Sequence, residues 1–331
     1  MRDPLAVATR KAVLTGKRTV TVERRSRKGP ILTPSSLPCL GNLPTINITE
    51  GCCHGCTYCY TRGYANYPGK SRVVLFENTP ALVRTELARK RKRPQRVYFS
   101  PSSDAFQPLP EVEQVTYDTM ELLLGSGIEV AFLTKGVVGK RFIDLFARTP
   151  SLLFAQIGIT TLNTGLWQMF EPGAAPPAGR LATIDTLISA GVSTRARLDP
   201  LIPGLTDTDE NLAPLLAELQ RRNMRNVAAS HLFLRPAFAH RVLAQLSACA
   251  TPAIAADSWS WQALAKGVGN GQMIATEERR RRFAHLRELG SRHDIDVHIC
   301  TCKNPDLASD GCQIAGPLLA SARNEELPLF D

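Results

Sequence analysis

Three cysteines on one short loop constrain this chain more than any other feature of its sequence. Cys52, Cys56 and Cys59 follow a predicted strand at 45–49 and have the spacing C-x3-C-x2-C. Three thiolates placed in this way can hold three corners of an iron–sulfur cube and leave one iron open to another ligand. Zinc sites pair C-x2-C with a second such pair or with spaced histidines, which this loop lacks. The spacing therefore indicates an iron–sulfur site rather than a zinc knuckle or buried thiols, with Cys53 as a bystander out of register.

A second group of cysteines lies near the C-terminus. Cys300, Cys302 and Cys312 have the spacing C-x-C-x9-C, and Asn-Pro and Asp-Gly pairs lie between the last two. These pairs form turns that can bring the third thiol back to the first two. We predict an auxiliary iron–sulfur cluster with one iron open or capped by a further group such as Cys39. Zinc is the main alternative, followed by unligated thiols.

The composition is typical of a folded protein without membrane-spanning segments. Hydrophobic residues make up 44% of the 331 positions and charged residues 21%, which suits a folded chain with a sizeable core. No run approaches about eighteen consecutive apolar residues, so no membrane-spanning segment is expected. The opening Met-Arg-Asp-Pro lacks the basic start and apolar run of a secretory signal, and the nine cysteines cluster as metal ligands do. We therefore expect a cytoplasmic protein.

The positive charge is concentrated at the N-terminus. Residues 1–30 hold nine Lys and Arg against two acidic residues, which accounts for +7 of the net charge of +10. Such an arm can follow a phosphate backbone or another acidic surface, with affinity that falls as salt rises. The alternative is a solvated, partly disordered tail.

Short runs rich in β-branched and aromatic residues alternate with amphipathic stretches, which is typical of βα units around a parallel sheet. Strands are predicted at 45–49, 96–100, 129–134, 153–159, 194–198 and 227–234, and helices at 80–91, 111–124, 140–147, 180–190 and 211–221. These units predict an α/β fold, a partial (β/α)6 TIM-type barrel over 41–236, after a basic extension at 1–40. The remaining 237–331 are predicted to form a helical region, followed by a short strand at 295–299 and the second cysteine group. In such folds chemistry lies beyond the carboxyl ends of the strands.

Several further motifs occur in the order and spacing of a known family. They are GCCHGCTYCY at 51–60, FSPSSDAFQP at 99–108, LTKG at 133–136, IGITTL at 157–162, Glu171-Pro172 with Pro176, and PLIPGLTD at 200–207. With them, about residues 40–236 resemble the radical S-adenosylmethionine (SAM) superfamily and, within it, the spore photoproduct lyase-like branch.

This resemblance implies a [4Fe-4S] cluster whose open iron chelates the amino and carboxylate groups of SAM. An electron from an external low-potential donor, such as a flavodoxin or ferredoxin, then cleaves SAM to a 5′-deoxyadenosyl radical that abstracts hydrogen from a substrate. The substrate itself is not identified by the resemblance, because the pocket that selects it varies on a shared scaffold.

The resemblance also implies roles for individual side chains. Tyr58 is expected against the adenine and Tyr60 near hydrogen transfer, with core packing as the alternative for both. The remaining candidates follow the later strands: Ser102, Ser103 and Asp104 for the SAM amino group, Lys135 for its carboxylate, Thr160 for the ribose, and Arg197 for a carboxylate inside the barrel. The alternatives are a helix cap for the Ser-Ser-Asp loop and solvated side chains for Lys135 and Arg197. The family often has serine where Gly158 stands.

One departure from the lyase pattern puts its repair reaction in doubt. The lyase has a hydrogen-donating cysteine just before the serine of the Ser-Asp loop, and Pro101 stands at that position here. The favoured function is therefore a two-cluster radical SAM enzyme whose second cluster binds substrate or carries an electron. An enzyme acting on damaged or modified nucleic acid is the second hypothesis. The third is a zinc-stabilised nucleic-acid-binding protein, which leaves the SAM-facing motifs unexplained.

Overall fold

The computed structural model describes residues 9–14, 18–35, 38–40, 43–248, 261–263, 271–307 and 313–316. The strands are β1 (Thr9–Leu14), β2 (Arg18–Arg25), β3 (Thr33–Pro34), β4 (Pro44–Ile46), β5 (Thr49–Glu50), β6 (Arg72–Phe76), β7 (Arg96–Phe99), β8 (Glu129–Thr134), β9 (Leu153–Gly158), β10 (Ser193–Leu201), β11 (Asn226–His231), β12 (Trp261–Ala263), β13 (Gln272–Ile274) and β14 (Asp296–Ile299). The helices are α1 (Thr79–Arg89), α2 (Pro110–Gly125), α3 (Lys140–Phe146), α4 (Thr164–Phe170), α5 (Pro177–Ser189), α6 (Asp209–Arg221), α7 (Pro236–Ala248) and α8 (Thr276–Ser291).

The main sheet has eight strands in the order β14-β11-β10-β9-β8-β7-β4-β3, and all neighbours except β3 and β4 are parallel. This confirms the predicted α/β fold with a partial barrel. Helices cover the outer face, so strands such as β7 and β9 are buried along their whole length. The C-terminal strand β14 joins the same sheet beyond β11, which places Cys300 and Cys302 at its carboxyl edge.

The first predicted strand, 45–49, is divided between two sheets. Strand β4 ends at Ile46, and β5 pairs with β6 outside the main sheet. Between the two strands, the side-chain oxygen of Asn47 accepts a hydrogen bond of 3.0 Å from the Ser102 N–H. The chain therefore turns away after β4 and carries the cysteine loop over the end of the barrel.

The basic arm forms part of a folded sheet. Strands β1, β2, β6 and β5 are neighbours in a four-stranded sheet, and Val20 and Val22 of β2 are buried in the core. Arg18 also donates a hydrogen bond of 3.3 Å to the Cys53 carbonyl. The alternative of a disordered tail is therefore wrong for the parts of the arm at 9–14 and 18–35, because apolar side chains of β2 pack against the rest of the protein.

The region after 236 is only partly helical. Helices α7 and α8 agree with the expectation, but β12 and β13 form an antiparallel pair where helix was predicted. The N–H groups of Leu234 and Gln272 each donate to the other residue's carbonyl, at 2.9 and 2.8 Å. This bridge holds 272–274 in an extended conformation. No helix in the described ranges is long and apolar enough to cross a membrane.

Candidate active site

A cavity of about 650 Å³ opens at the carboxyl ends of the parallel strands. The first cysteine loop contributes Cys52, Cys56 and Cys59 to its wall, and Cys39 and Cys302 also line it. Cysteines from segments far apart in the sequence therefore line one shared space. This is the edge of the sheet at which parallel α/β folds carry their chemistry.

Backbone contacts fix the first cysteine loop from several sides. The Cys53 N–H donates to the side chain of Gln107 at 2.7 Å, and the Thr57 N–H donates to the Phe170 carbonyl at 2.9 Å. Within the loop, Gly55 has a φ of +64°, a conformation that glycine adopts without strain. The side chain of Cys53 is buried in the hydrophobic core, away from the cavity wall. This position supports the expectation that Cys53 is a bystander.

The chemistry of the three cavity cysteines fits an iron–sulfur cluster. Burial, with a further contribution from Glu171, raises the pKa of the Cys56 thiol to about 12, and burial and the neighbouring Cys53 raise that of Cys52 well above its usual range. Thiolates here therefore need a bound cationic centre to stabilise them. Within the described ranges, no three His, Cys, Asp or Glu side chains are grouped to hold one metal ion. A cube distributes its cysteines over separate irons, so their spread is compatible with it.

A buried charge network lies beneath the cysteine loop. Glu171 accepts a hydrogen bond from the Tyr58 hydroxyl and forms an ion pair with Arg180, and its Oε1 lies 3.6 Å from Lys135 Nζ. Burial would raise the Glu171 pKa, but Arg180 and Lys135 lower it to about 2. Glu171 is therefore ionised and can hold Lys135 and Tyr58 in place. Sequence reasoning missed Arg180, because a basic residue on a helix usually lies in solvent.

Lys135 reaches the cavity by passing over Gly158. Its ammonium donates to the Asp199 carbonyl at 2.8 Å and lines the cavity. A Cβ added at Gly158 would lie 2.8 Å from Lys135 Nζ and 2.9 Å from its Cγ. A serine, common in the family at this position, would crowd the lysine. The glycine therefore leaves the space that Lys135 occupies.

Three buried polar atoms on the cavity wall have no hydrogen-bond partner within the described part of the chain. They are His54 Nε2, Ser100 Oγ and Ser103 Oγ. Buried polar atoms are almost always hydrogen-bonded in folded proteins, so a group of orphans around one cavity indicates a polar ligand there. Ser103 was predicted from the sequence as a SAM contact, whereas His54 and Ser100 were not.

The carboxylate of Asp104 is occupied by contacts within the protein. It accepts hydrogen bonds from the Thr134 hydroxyl at 2.7 Å and from the Lys135 and Phe106 N–H groups at 2.8 Å, and it faces His54 at 3.4 Å. Burial would raise its pKa, but His54 and these hydrogen bonds lower it. Asp104 lines the cavity, yet its main contacts join the loop after β7 to the end of β8. Ser102, also on the wall, donates its N–H to Asn47.

The remaining predicted residues differ in their placement. Tyr60 lines the cavity and donates its hydroxyl to the Pro101 carbonyl. Arg197 is buried on the cavity wall and pairs with Asp199 at 2.8 Å, so the surface alternative for Arg197 is wrong. Thr160 is buried away from the wall and accepts a hydrogen bond from Asn211 at 2.8 Å through its carbonyl. Its position gives no support to the expected ribose contact.

Asp199 connects the barrel to the second cysteine group. Its carboxylate accepts hydrogen bonds from Lys303 at 2.6 and 2.9 Å and from Arg197 at 2.8 and 3.0 Å. Burial would raise the Asp199 pKa, but Lys303 and Arg197 lower it. Lys303 directly follows Cys302, so this ion pair fixes the C-terminal loop against the cavity. The short-range patterns in the sequence marked neither Asp199 nor Lys303.

A family model described as the radical SAM superfamily matches residues 46–216. Among curated relatives, an uncharacterized protein of Mycobacterium tuberculosis is 28% identical over 200 residues, 58% of this chain and 59% of that protein. A radical SAM Nα-GlyT isomerase of Pseudomonas phage M6 is 29% identical over 160 residues, 48% of this chain and 33% of the isomerase. The chain therefore spans less than two thirds of the length of these relatives.

Solved structures of spore photoproduct lyase have a similar fold. A double mutant of that lyase with bound AdoMet and dinucleoside spore photoproduct matches 84% of this chain and 81% of its own, with a TM-score of 0.65 and 14% identity. A second structure, of the lyase complexed with dinucleoside spore photoproduct, matches 84% of this chain and 82% of its own, with a TM-score of 0.64 and 17% identity. At these identities the match shows a shared fold.

Proposed function

The chain belongs to the radical SAM superfamily, and from this we propose that Cys52, Cys56 and Cys59 hold the [4Fe-4S] cluster at which it cleaves SAM. Enzymes of this superfamily use a [4Fe-4S] cluster and SAM and need a reductant. When bound, the two cofactors supply a 5′-deoxyadenosyl radical that abstracts hydrogen from a substrate, here unidentified. The observation that carries the proposal is the cavity in which these three thiols face unpartnered polar atoms at the carboxyl edge of the barrel.

The side chains around this cavity are suited to bind and orient SAM. Lys135 supplies a positive charge for the carboxylate, and the free hydroxyl of Ser103 is available to the amino group. Tyr58, fixed by Glu171, offers a ring to the adenine. On the cavity wall, the cations Arg62, Lys135, Arg197, Arg235 and Lys303 outnumber the anions Asp104 and Asp199 by three. This excess favours an anionic cluster and a carboxylate.

The test is SAM turnover by the full chain after anaerobic reconstitution with iron and sulfide. With a low-potential reductant we expect 5′-deoxyadenosine and methionine in equal amounts, detected by chromatography. Reduced flavodoxin or ferredoxin should replace a chemical reductant, because an external donor supplies the electron. Reconstituted protein that contains the cluster and forms no 5′-deoxyadenosine would contradict the proposed function.

Lys135→Ala is expected to weaken SAM binding more than it changes iron content, because it removes a charge partner and no metal ligand. A charge-assisted contact contributes about 1.5–3 kcal/mol, so the dissociation constant should rise roughly tenfold or more. Binding titrations on reconstituted protein measure this change. Lys140→Ala is the matched control, since Lys140 lies exposed on α3 and pairs with Asp144. Equal SAM affinity in wild type and Lys135→Ala would remove Lys135 from the site.

We further propose that Cys300, Cys302 and Cys312 hold an auxiliary iron–sulfur cluster, with zinc as the alternative. The sulfurs of Cys300 and Cys302 lie 3.2 Å apart, and Cys302 lines the SAM-facing cavity. Cys312 lies outside the described residues. A cluster here would bind substrate or carry an electron next to the radical site.

A nucleic-acid substrate is the second candidate, supported by where part of the basic arm lies. Arg27 lines a groove whose wall also contains Thr61, Tyr64, Tyr67 and Ser102. All four of those residues also line the main cavity, so the groove and the cavity are adjacent. A phosphate backbone bound at Arg27 would therefore lie next to the proposed radical site. Pro101 at the lyase's hydrogen-donor position still disfavours the lyase reaction itself.

Charge-neutralising variants test this candidate, because deleting 1–30 would remove the buried side chains of β2. Glutamine at Arg24, Arg27 and Lys28 should lower the slope of log affinity against log salt by up to about 2.7, since each phosphate contact contributes about 0.9. Duplex binding measured by fluorescence anisotropy at several salt concentrations gives this slope.

The matched control is glutamine at residues 91–93, which are exposed and precede the amino end of β7. This variant loses the same amount of positive charge, but at the amino end of the strand. Its slope of log affinity against log salt should equal that of wild type. If the full chain has no affinity for nucleic acid at moderate salt, the substrate is a small molecule or peptide instead.

A further inference from the structure

One arginine of the N-terminal sheet contacts the backbone of the first cysteine loop. Arg18 is the first residue of β2, and its Nη2 donates a hydrogen bond of 3.3 Å to the Cys53 carbonyl. That carbonyl lies between Cys52 and Cys56 in the loop. Arg18 is not among the residues that line the main cavity, so it contacts the loop outside that cavity.

Two glycines leave the space that the Arg18 guanidinium occupies. A Cβ added at Gly173 would overlap Arg18 Nη1, and a Cβ added at Gly55 would lie 2.6 Å from Arg18 Nη2. The Gly173 N–H also donates to the His54 carbonyl at 2.9 Å, which joins the segment after Glu171 to the cysteine loop. The guanidinium is therefore enclosed between the loop and this segment.

The positive charge of Arg18 is not neutralised by a carboxylate in the described part of the chain. Its Nη1 is buried and has no hydrogen-bond partner among the described residues, and no Asp or Glu there forms an ion pair with it. Arg180, the buried arginine beneath the same loop, pairs with Glu171 instead. Buried charges are normally paired in folded proteins, so an unpaired guanidinium here indicates that the loop carries negative charge when it is loaded.

The proposed iron–sulfur cluster supplies such a charge. Three thiolates around the core make the cluster anionic, and reduction by one electron adds a further negative charge. A cation held against the ligand loop therefore stabilises the reduced state more than the oxidised state. Net charge and hydrogen bonding around a cluster are among the factors that set its reduction potential.

We propose that Arg18 is a positioning residue that raises the reduction potential of the cluster held by Cys52, Cys56 and Cys59. This deepens the proposed function and rests on it for the presence of that cluster. Arg18 acts through the loop, because it binds the Cys53 carbonyl and places its charge beside the backbone that carries the ligands. The electron still comes from the external low-potential donor, and the guanidinium keeps its protons throughout.

The test is an anaerobic redox titration of the reconstituted full chain, followed by electron paramagnetic resonance. The signal of the first cluster is identified by its absence when Cys52, Cys56 and Cys59 are all replaced by alanine. In Arg18→Gln, the ratio of reduced to oxidised cluster at a fixed potential should fall about tenfold. For one electron this is a shift of about 59 mV to lower potential. Arg18→Lys keeps the charge, so its potential should lie closer to that of wild type.

Arg24→Gln is the matched control for the loss of one positive charge. Arg24 is exposed on the same strand, six residues further along β2 and therefore about 20 Å away. At this distance solvent and salt screen its charge, so the potential should equal that of wild type. Iron and acid-labile sulfide per chain should be the same in all of these variants, because neither arginine is a metal ligand.

Two outcomes would overturn the role of Arg18 alone. One is a loaded Arg18→Gln variant with the wild-type potential. The other is an Arg18→Lys variant whose potential falls as far as that of Arg18→Gln, which would show that the charge is not the cause. A wild-type chain that binds no cluster would instead overturn the proposed function, and the role of Arg18 with it.

Discussion

Alanine at Cys52, Cys56 or Cys59 is expected to abolish reductive SAM cleavage. Each of the three thiols lines the cavity, and none has a replacement in the loop, since Cys53 is packed in the core. A cube that loses one of three protein thiolates no longer keeps a single open iron in a fixed position. The measurement is 5′-deoxyadenosine formed by each reconstituted variant under a low-potential reductant. Turnover at the wild-type rate in any one variant would contradict the ligand assignment.

Cys53→Ala is the matched control for these variants. It removes a thiol from the same loop without removing a proposed ligand, so SAM cleavage should stay close to wild type. Its side chain is buried, and its loss should cost about 1 kcal/mol of stability, measured by denaturant unfolding. A loss of cleavage in Cys53→Ala as large as in the other three would show that the loop as a whole, rather than its ligand spacing, is what the activity requires.

Replacing Cys300, Cys302 and Cys312 together is expected to halve the iron content. Two cubes bring about eight iron atoms per chain, and loss of the auxiliary site should leave about four. The measurement is iron, zinc and acid-labile sulfide per chain, all determined on the same samples. The first cluster should stay intact, because its loop is held by Gln107 and Phe170 rather than by the C-terminal turn.

An auxiliary site that holds zinc would give a different result in the same experiment. If the auxiliary site holds zinc, iron stays near about four atoms in both proteins and zinc disappears with the cysteines. Wild type with about four irons and no zinc would contradict an auxiliary metal site of either kind.

The alternating pattern and the C-x3-C-x2-C loop were enough to predict the partial barrel and the family. Both signals are local, because strand and helix periodicity and the spacing of ligands on one loop depend on neighbouring residues. One alternative, the disordered tail, and one expectation, the continuous helix, were wrong where packing decided. Strand β2 is ordered because Val20 and Val22 are buried by the rest of the protein, and β13 is extended because Gln272 bridges to Leu234. Charge and helical pattern alone had suggested a loose arm and a continuous helix.

The sequence by itself determined the family, since the residue types and their spacing on one loop are typical of the radical SAM superfamily, which uses an iron–sulfur cluster. Only the tertiary structure decided what surrounds the cavity that the three loop cysteines line. It showed that Lys135 passes over Gly158, that Arg180 lowers the pKa of Glu171 and keeps it ionised, and that Cys39 contacts Cys302. These contacts join segments far apart in the chain, and no local pattern marks them. They exist because folding brings the carboxyl ends of β7, β8, β10 and β14 to one edge of the sheet.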